Sequence, residues 1–176
     1  MKRLSILVLL LLLVAAVAAL AAPESIKEAK SAYKIIGQTA DTPIAQGAGK
    51  PLLIVFWASW CGPCMIEIPH INNLQEKYAP QGLKIVAVSM DMQTEESIRR
   101  IVARLRIQYP VAMPTPELLR EYKVSAIPTS YLYGADGKLA RTWVGPPAPL
   151  DLENAVRDTL GMKPLTAQQA TKGKYE

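Results

Sequence analysis

The sequence has few of the residues that bind metals or form disulfide bonds. Its 176 residues include only two cysteines, Cys61 and Cys64, and one histidine, His70. Because a structural zinc site usually needs four ligands, three candidate ligands from one short segment argue against a metal centre, and we expect none. A structural disulfide stabilises a fold most when it closes a long loop. This pair would close almost none, so its two thiols are expected to serve another purpose.

The sequence also lacks a large excess of positive or negative charge. The chain carries 20 Lys and Arg against 15 Asp and Glu, a formal net charge of +5. Its only dense basic group consists of Arg99, Arg100, Arg104 and Arg106, which alternate with apolar residues and are interpreted as the solvated face of a helix. Nucleic-acid binding usually needs a concentrated basic stripe, so we expect no nucleic-acid partner.

The one long hydrophobic run lies at the N-terminus. Lys2 and Arg3 precede an apolar stretch over residues 6–22, which is the pattern of an export signal. Residues 1–22 are therefore predicted to be a signal peptide or a membrane anchor. Small residues at Ala19 and Ala21 favour cleavage, whereas the length of the run approaches that of a bilayer span, and both alternatives stay open. Either one predicts an extracytoplasmic location.

The remaining chain alternates between strand-like and helix-like segments. Continuous apolar runs at residues 51–57 and 83–89 predict strands that are covered on both faces of a sheet. In chain order the predicted elements are strand 51–57, helix 65–78, strand 83–89, helix 94–106, strand 109–113, helix 116–122, strands 129–133 and 139–144 around a turn at 135–137, and helix 150–160.

This order of elements predicts an α/β fold. Its central mixed sheet would be parallel in the early strands and would end in an antiparallel hairpin, with helices on both faces. The predicted domain covers residues 23–161, after the N-terminal signal or anchor segment. Residues 162–176 are polar and aperiodic, and are predicted to form a C-terminal tail without regular structure.

The two cysteines form the motif Cys61-Gly62-Pro63-Cys64, between a predicted strand and a predicted helix. This context favours a redox pair over coincidence. At a helix start, unpaired N–H groups and the helix dipole favour negative charge, so Cys61 should ionise more easily than a free cysteine, whose pKa is about 8.5. Cys64, one turn later, can attack a mixed disulfide formed at Cys61. The prediction is a redox-active Cys61–Cys64 disulfide and no other cofactor.

Two ionisable residues follow on the same predicted helix. Glu67 comes three residues after Cys64 on a similar face. It exchanges protons with Cys64 or tunes both thiols by its charge, or it is an ordinary solvated glutamate, and the spacing leaves these interpretations open. His70 is interpreted as a surface or packing residue, because a near-neutral pKa alone does not indicate catalysis. Pro69, beside it, is expected to kink or interrupt the helix.

Several runs of residues resemble one family. Residues 56–64, FWASWCGPC, closely resemble the active-site segment of thioredoxins, and Ile127-Pro128-Thr129 looks like the cis-proline loop of that family. The proline signal is weak by itself, since any proline at a strand entry looks the same. Residues 64–69, 90–114, 122–129 and 136–138 are similar to the TlpA/ResA/CcmG (DsbE) branch of exported thiol–disulfide oxidoreductases. The resemblance covers about residues 35–160 and implies the thioredoxin fold.

The resemblance also implies roles for individual residues. It implies Cys61 as the nucleophile, Cys64 as the resolving thiol and Glu67 as an active-site acid. Glu67 would take over proton handling from a buried aspartate of ordinary thioredoxins, whose place is here held by Val55. Trp57 is expected to pack beneath the site. The surface expected to bind clients comprises Trp60, Gly62, Pro63, Ile127 and Pro128, the last as a cis-proline.

The function implied is the reduction of disulfides in partner proteins outside the cytoplasm. Apocytochrome c is the best-known client of the family, and a membrane electron donor of the DsbD/CcdA type is expected because an oxidising compartment supplies no reductant. An oxidant or isomerase on the same fold is the main alternative. A peroxiredoxin-type peroxidase is a third, although Ala58 and Ile54 stand where that class has threonine and proline. A binding module that uses the Pro128 groove is the non-enzymatic alternative.

Overall fold

The computed structural model of the chain describes residues 32–37, 42–43 and 49–172. The predicted leader at residues 1–22 lies outside the described residues, so its two alternatives stay predictions. Across the described part, no helix combines the length and the apolar character needed to cross a bilayer.

Seven strands and five α-helices make up the described part of the chain. They are β1 (Ala32–Ile35), β2 (Thr42–Pro43), β3 (Leu52–Trp57), α1 (Gly62–Tyr78), β4 (Lys84–Ser89), α2 (Glu95–Arg104), β5 (Val111–Met113), α3 (Pro116–Tyr122), β6 (Thr129–Tyr133), β7 (Leu139–Val144), α4 (Pro149–Thr159) and α5 (Ala167–Lys172). The sequence predicts β3 to β7 and α1 to α4 to within three residues at each end, whereas β1, β2 and α5 were not predicted. Pro69 lies inside α1 and does not interrupt it.

The strands form one sheet in the order β2-β1-β5-β4-β3-β6-β7. Strands β3, β4 and β5 are parallel neighbours. Strand β6 runs antiparallel to β3 and forms an antiparallel hairpin with β7. On the other side, β1 is antiparallel to β5. The predicted mixed sheet, parallel first and ending in an antiparallel hairpin, is confirmed.

The central strand β3 is buried on both faces, as its unbroken apolar run predicts. Every second residue, Leu53, Val55 and Trp57, belongs to a core cluster with helices α1, α2 and α4. The residues between them pack into a second cluster with α3, on the opposite face. The prediction of helices on both faces is therefore confirmed. The first cluster also contains Cys61 and Cys64, so the dithiol is part of a packed core.

The C-terminal segment has more structure than the sequence predicts. The side chain of Asn154 on α4 accepts the backbone N–H of Leu165 at 2.6 Å and donates to its carbonyl at 3.1 Å. The hydroxyl of Thr166 then accepts the backbone N–H of Gln169 at 3.4 Å, at the start of α5. The expected absence of regular structure is thus wrong for Ala167–Lys172. Side-chain hydrogen bonds, rather than an apolar period, fix this segment.

Candidate active site

The dithiol lies where strand β3 ends and helix α1 begins. The helix starts at Gly62, three residues earlier than predicted, and Cys61 is its N-cap residue with an extended backbone. The Sγ atom of Cys61 accepts the backbone N–H of Cys64 at 3.2 Å. Pro63 occupies the first turn of the helix, where its missing N–H leaves no hydrogen bond unmade. The N–H of Cys61 donates to the carbonyl of Ala58 at 3.1 Å, which closes the turn before the helix.

Cys61 and Cys64 are joined by a disulfide bond, with an S–S distance of 2.00 Å and a Cα–Cα distance of 5.3 Å. Both residues are buried, Cys61 with 5% and Cys64 with 2% of its surface exposed. The more accessible cysteine is also the one at the helix N-terminus, where N–H groups and the dipole stabilise a thiolate once the bond is reduced. The geometry favours Cys61 as the attacking sulfur and Cys64 as the inner one.

Glu67 is buried on α1, three residues after Cys64. Only 4% of its surface is exposed, and within the described part of the chain neither carboxylate oxygen has a hydrogen-bond partner. Burial raises the pKa of Glu67 from 4.5 to about 7, because the charged form loses its hydration. The interpretation of Glu67 as a solvated glutamate is therefore wrong. A carboxyl group that is half protonated near neutral pH can exchange protons with a neighbouring thiol.

Tyr109 is a second buried ionisable residue near Glu67, and the sequence did not indicate it. It lies between α2 and β5 and is buried. Burial raises the pKa of its phenol, and the negative charge of Glu67 raises it further, so the phenol stays protonated at physiological pH. No local pattern predicts that Tyr109 lies close enough to feel the charge of Glu67, because the two residues approach each other only when the strands assemble.

The loop before strand β6 has the predicted geometry. The peptide bond between Ile127 and Pro128 is cis. Pro128 is buried, and its carbonyl accepts the N–H of Gly145 at 2.8 Å, which ties the loop to the end of β7. Ile127 is half-buried and packs against the core cluster that contains both cysteines. The structure therefore places the proline loop and the dithiol on the same cluster.

An exposed apolar rim adjoins the dithiol. Trp60, the residue before Cys61, is 71% exposed, and Gly62 and Pro63 are exposed as well. Ile66, an apolar residue on α1, is also 71% exposed and extends this rim along the helix. Trp57, by contrast, is buried, as expected for a residue that packs beneath the site.

A carboxylate that the sequence did not single out fixes the turn before Cys61. Asp91, just after β4, is buried. It accepts the backbone N–H of Ser59 at 3.0 Å and the Ser59 hydroxyl at 2.7 Å. The hydroxyl of Ser89 donates to the same carboxylate at 2.8 Å. Asp91 therefore joins the end of β4 to the turn that leads into α1. An aspartate directly after a buried strand is the only sequence signal, and it does not reveal the partner.

A family model described as the AhpC/TSA family matches residues 25–142. The chain belongs to the AhpC/TSA family. The matched range ends inside β7, so it includes the dithiol, Glu67 and the cis-proline.

Individual relatives agree with this assignment. Thiol-disulfide oxidoreductase ResA of a Bacillus cereus strain is 34% identical over 106 residues, which is 60% of this chain and 61% of the relative. The chain thus spans about three fifths of the length of the curated relatives it matches.

Two solved structures share the architecture. A candidate DsbE thiol:disulfide interchange protein of Chlorobium tepidum superposes with a TM-score of 0.65 and 31% identity, over 74% of this chain and 94% of the other. StoA of Bacillus subtilis gives a TM-score of 0.61 and 26% identity, over 71% of this chain and 94% of its own. These similarities confirm the thioredoxin fold that the sequence resemblance implied.

Proposed function

We propose that this chain is an extracytoplasmic thiol–disulfide oxidoreductase that reduces disulfides in partner proteins. The observation that carries the proposal is the bonded Cys61–Cys64 pair at the start of α1, with the N–H of Cys64 aimed at Cys61 Sγ from 3.2 Å. The helix start stabilises the thiolate that begins the reaction, and it holds the second thiol one turn away.

In the reducing direction the reaction has two exchanges. The thiolate of Cys61 attacks one sulfur of the client disulfide, and the other client sulfur leaves as a thiolate. The thiolate of Cys64 then attacks the Cys61 sulfur of this mixed disulfide, and the second client sulfur leaves. Two electrons pass to the client, and the Cys61–Cys64 disulfide remains.

Glu67 is the proposed proton acceptor for the second exchange. Cys64 must lose its proton before it attacks, and Glu67 lies buried one turn further along the helix with a pKa of about 7. A base whose pKa lies near the working pH is best suited to such a transfer. The mixed disulfide would rest against Trp60, Gly62, Pro63, Ile127 and cis-Pro128.

The similarity to proteins named thiol-disulfide oxidoreductases supports the activity. We also propose that residues 1–22 direct export, whether cleaved or kept as an anchor, and that the clients are disulfide-containing proteins outside the cytoplasm. Apocytochrome c is one candidate client. Because an oxidising compartment does not reduce the dithiol, a membrane electron donor of the DsbD/CcdA type completes the proposal.

Trapping of the mixed disulfide tests the proposal. In the variant Cys64→Ser the second exchange cannot occur, so a client should remain attached to Cys61 and should be released by dithiothreitol. The matched variant Cys61→Ser retains the inner thiol, which is the less exposed of the two, and should capture at least 10-fold less, as expected when the thiolate-stabilising position is lost. Equal capture by both variants would contradict the assigned roles.

The alternatives differ in measurable ways. An oxidant uses the same two sulfurs in the opposite direction, and a reduction potential near about −120 mV rather than −270 mV would indicate it. Turnover of hydrogen peroxide would indicate a peroxidase. A binding module would keep its function in Cys61→Ser.

A further inference from the structure

A groove beside the active-site turn carries positive charge that the thiol chemistry does not use. It encloses about 460 Å³ and is lined by Ser59, Gln93, Ser97, Arg100, Ile101 and Arg104. Four of these residues lie on α2 at positions i, i+3, i+4 and i+7, so they form one stripe of the helix. We call this depression the α2 groove.

We propose that the α2 groove docks an acidic segment of the client polypeptide, next to the disulfide that is exchanged. The inference rests on the proposed function, and it adds a chemical preference for the client. Guanidinium groups bind carboxylates through paired hydrogen bonds, and two of them lie along this stripe.

The two arginines of the groove are weakly engaged within the described part of the chain. Arg104 has no carboxylate within 4 Å there. Arg100 lies 3.4 Å from a carboxylate oxygen of Glu96, and both side chains are more than 60% exposed, so this pair contributes little. None of the residues that line the groove is acidic. Asp91 is already bound to Ser59 and Ser89. An incoming carboxylate therefore meets Arg104, which has no carboxylate partner among the described residues, and Arg100, whose contacts with Glu96 and Ser97 are both 3.4 Å long.

The position of the groove connects it to the dithiol. Ser59 lines it and stands two residues before Cys61, and two residues of chain span at most about 7 Å. A client strand that is bonded to Cys61 and runs towards α2 advances about 3.3 Å per residue. An acidic residue near the client cysteine in the client sequence is therefore the one that would meet the arginines. Arg99 on the same helix does not line the groove; it is 3.1 Å from Glu95.

The test compares two synthetic peptides that share one intramolecular disulfide and differ only in flanking glutamate or glutamine residues. Their rates of reduction by the dithiothreitol-reduced full chain are measured at low ionic strength. We expect the glutamate peptide to react about 3- to 10-fold faster, as two solvent-exposed ion pairs would produce. In the double variant Arg100→Gln/Arg104→Gln the ratio of the two rates should fall to about one. For the wild type, the ratio of the two rates should also fall in 1 M salt, where the screening length is about 3 Å.

The matched control is Arg99→Gln/Arg120→Gln, which makes the same change in net charge outside the groove. Arg120 and Arg100 have the same side-chain exposure, 69%, and the control should keep the preference. Equal rates for both peptides in the wild type would overturn the inference, as would a preference that survives in Arg100→Gln/Arg104→Gln. A variant that loses binding to anionic phospholipid vesicles, but not the peptide preference, would assign the groove to a membrane surface instead.

An uncharged disulfide separates the two proposals. If the wild type reduces bis(2-hydroxyethyl) disulfide and shows no peptide preference, the groove assignment fails and the proposed function stands. If the wild type reduces neither the peptides nor this small disulfide, the proposed function fails, and the groove assignment fails with it.

Discussion

Glu67 has no hydrogen-bond partner among the described residues, and burial alone sets its protonation. Below pH 4.5 this carboxyl is protonated in both the folded and the unfolded chain. Between about pH 4.5 and 7 only the unfolded chain releases the proton, so ionisation stabilises the unfolded state and the free energy of unfolding falls. Above pH 7 both states are ionised and the fall stops. The residue that suits proton transfer therefore destabilises the oxidised protein at neutral pH.

The variant Glu67→Gln removes this titration. From pH 4 to pH 8, the free energy of unfolding of the oxidised variant should rise relative to that of the wild type. The gain is on the order of 3 kcal/mol, for a pKa displaced from 4.5 to about 7 at 1.36 kcal/mol per unit. Urea unfolding at several pH values measures it, and Glu76→Gln, an exposed glutamate of the same helix, is the control. Parallel stability curves for wild type and Glu67→Gln would show that burial does not perturb this carboxyl.

The start of helix α1 depends on a neighbouring strand end as well as on its own sequence. Asp91 after β4 holds both the backbone and the hydroxyl of Ser59, and the next turn places Cys61 at the N-cap. Removal of a charged acceptor leaves its donors without a partner and lowers the free energy of unfolding. The orientation of Cys61 is therefore set by contacts between elements that are distant along the chain.

The variant Asp91→Asn replaces one carboxylate oxygen with an NH2 group, which cannot accept the hydrogen bonds that Ser59 and Ser89 donate. We expect a loss of about 1–3 kcal/mol in the free energy of unfolding. The reduced, folded protein should also react about 10-fold more slowly with bis(2-hydroxyethyl) disulfide, because the attacking sulfur is less well positioned. Asp158→Asn, at an exposed aspartate of α4, is the control. Normal exchange kinetics in a destabilised Asp91→Asn would limit Asp91 to a structural role, and a double-mutant cycle with Ser59→Ala isolates their coupling.

The elements that the sequence predicts well are those whose signal is local. Strand β3 has an unbroken apolar run, and helix α2 begins after Thr94, whose hydroxyl caps it by accepting the N–H of Ser97 at 3.3 Å. The sequence predicts a start of α1 that is three residues too late, because Gly62 and Pro63 are poor helix formers in a helix interior, although they suit a first turn. Strand β1 was missed because its partner β5 lies far along the chain.

The residues of the candidate site also differ in whether a local signal predicts them. The dithiol follows from its motif, and the cis-proline follows from the resemblance to thioredoxins. The burial of Glu67, the approach of Tyr109 and the bonds of Asp91 to Ser59 require the assembled sheet. These contacts join residues that no helical or strand period relates, so a single sequence does not contain their signal.

At the scale of the whole molecule, the sheet separates two cores. The cluster with α1, α2 and α4 contains Cys61, Cys64 and the neighbouring apolar side chains. The cluster with α3, which includes Leu118 and Phe56, contains neither cysteine, although Ile127 of the proline loop packs against both clusters. One face of the sheet thus sets the environment of the dithiol, whereas the other meets the candidate site only at Ile127.

Two core truncations test this separation. Leu118→Ala on α3 and Ile68→Ala on α1 each remove a buried side chain, and each should lower the free energy of unfolding by about 2–4 kcal/mol. Only Ile68→Ala opens space on the helix that carries Cys64 and Glu67. Better hydration there favours the charged thiolate of the reduced form. The reduction potential of the Cys61–Cys64 pair in Ile68→Ala should therefore rise by about 15 mV or more, equivalent to about 0.7 kcal/mol. Equilibration with glutathione measures both potentials. An equal shift in Leu118→Ala would show that the sheet transmits packing changes from one face to the other.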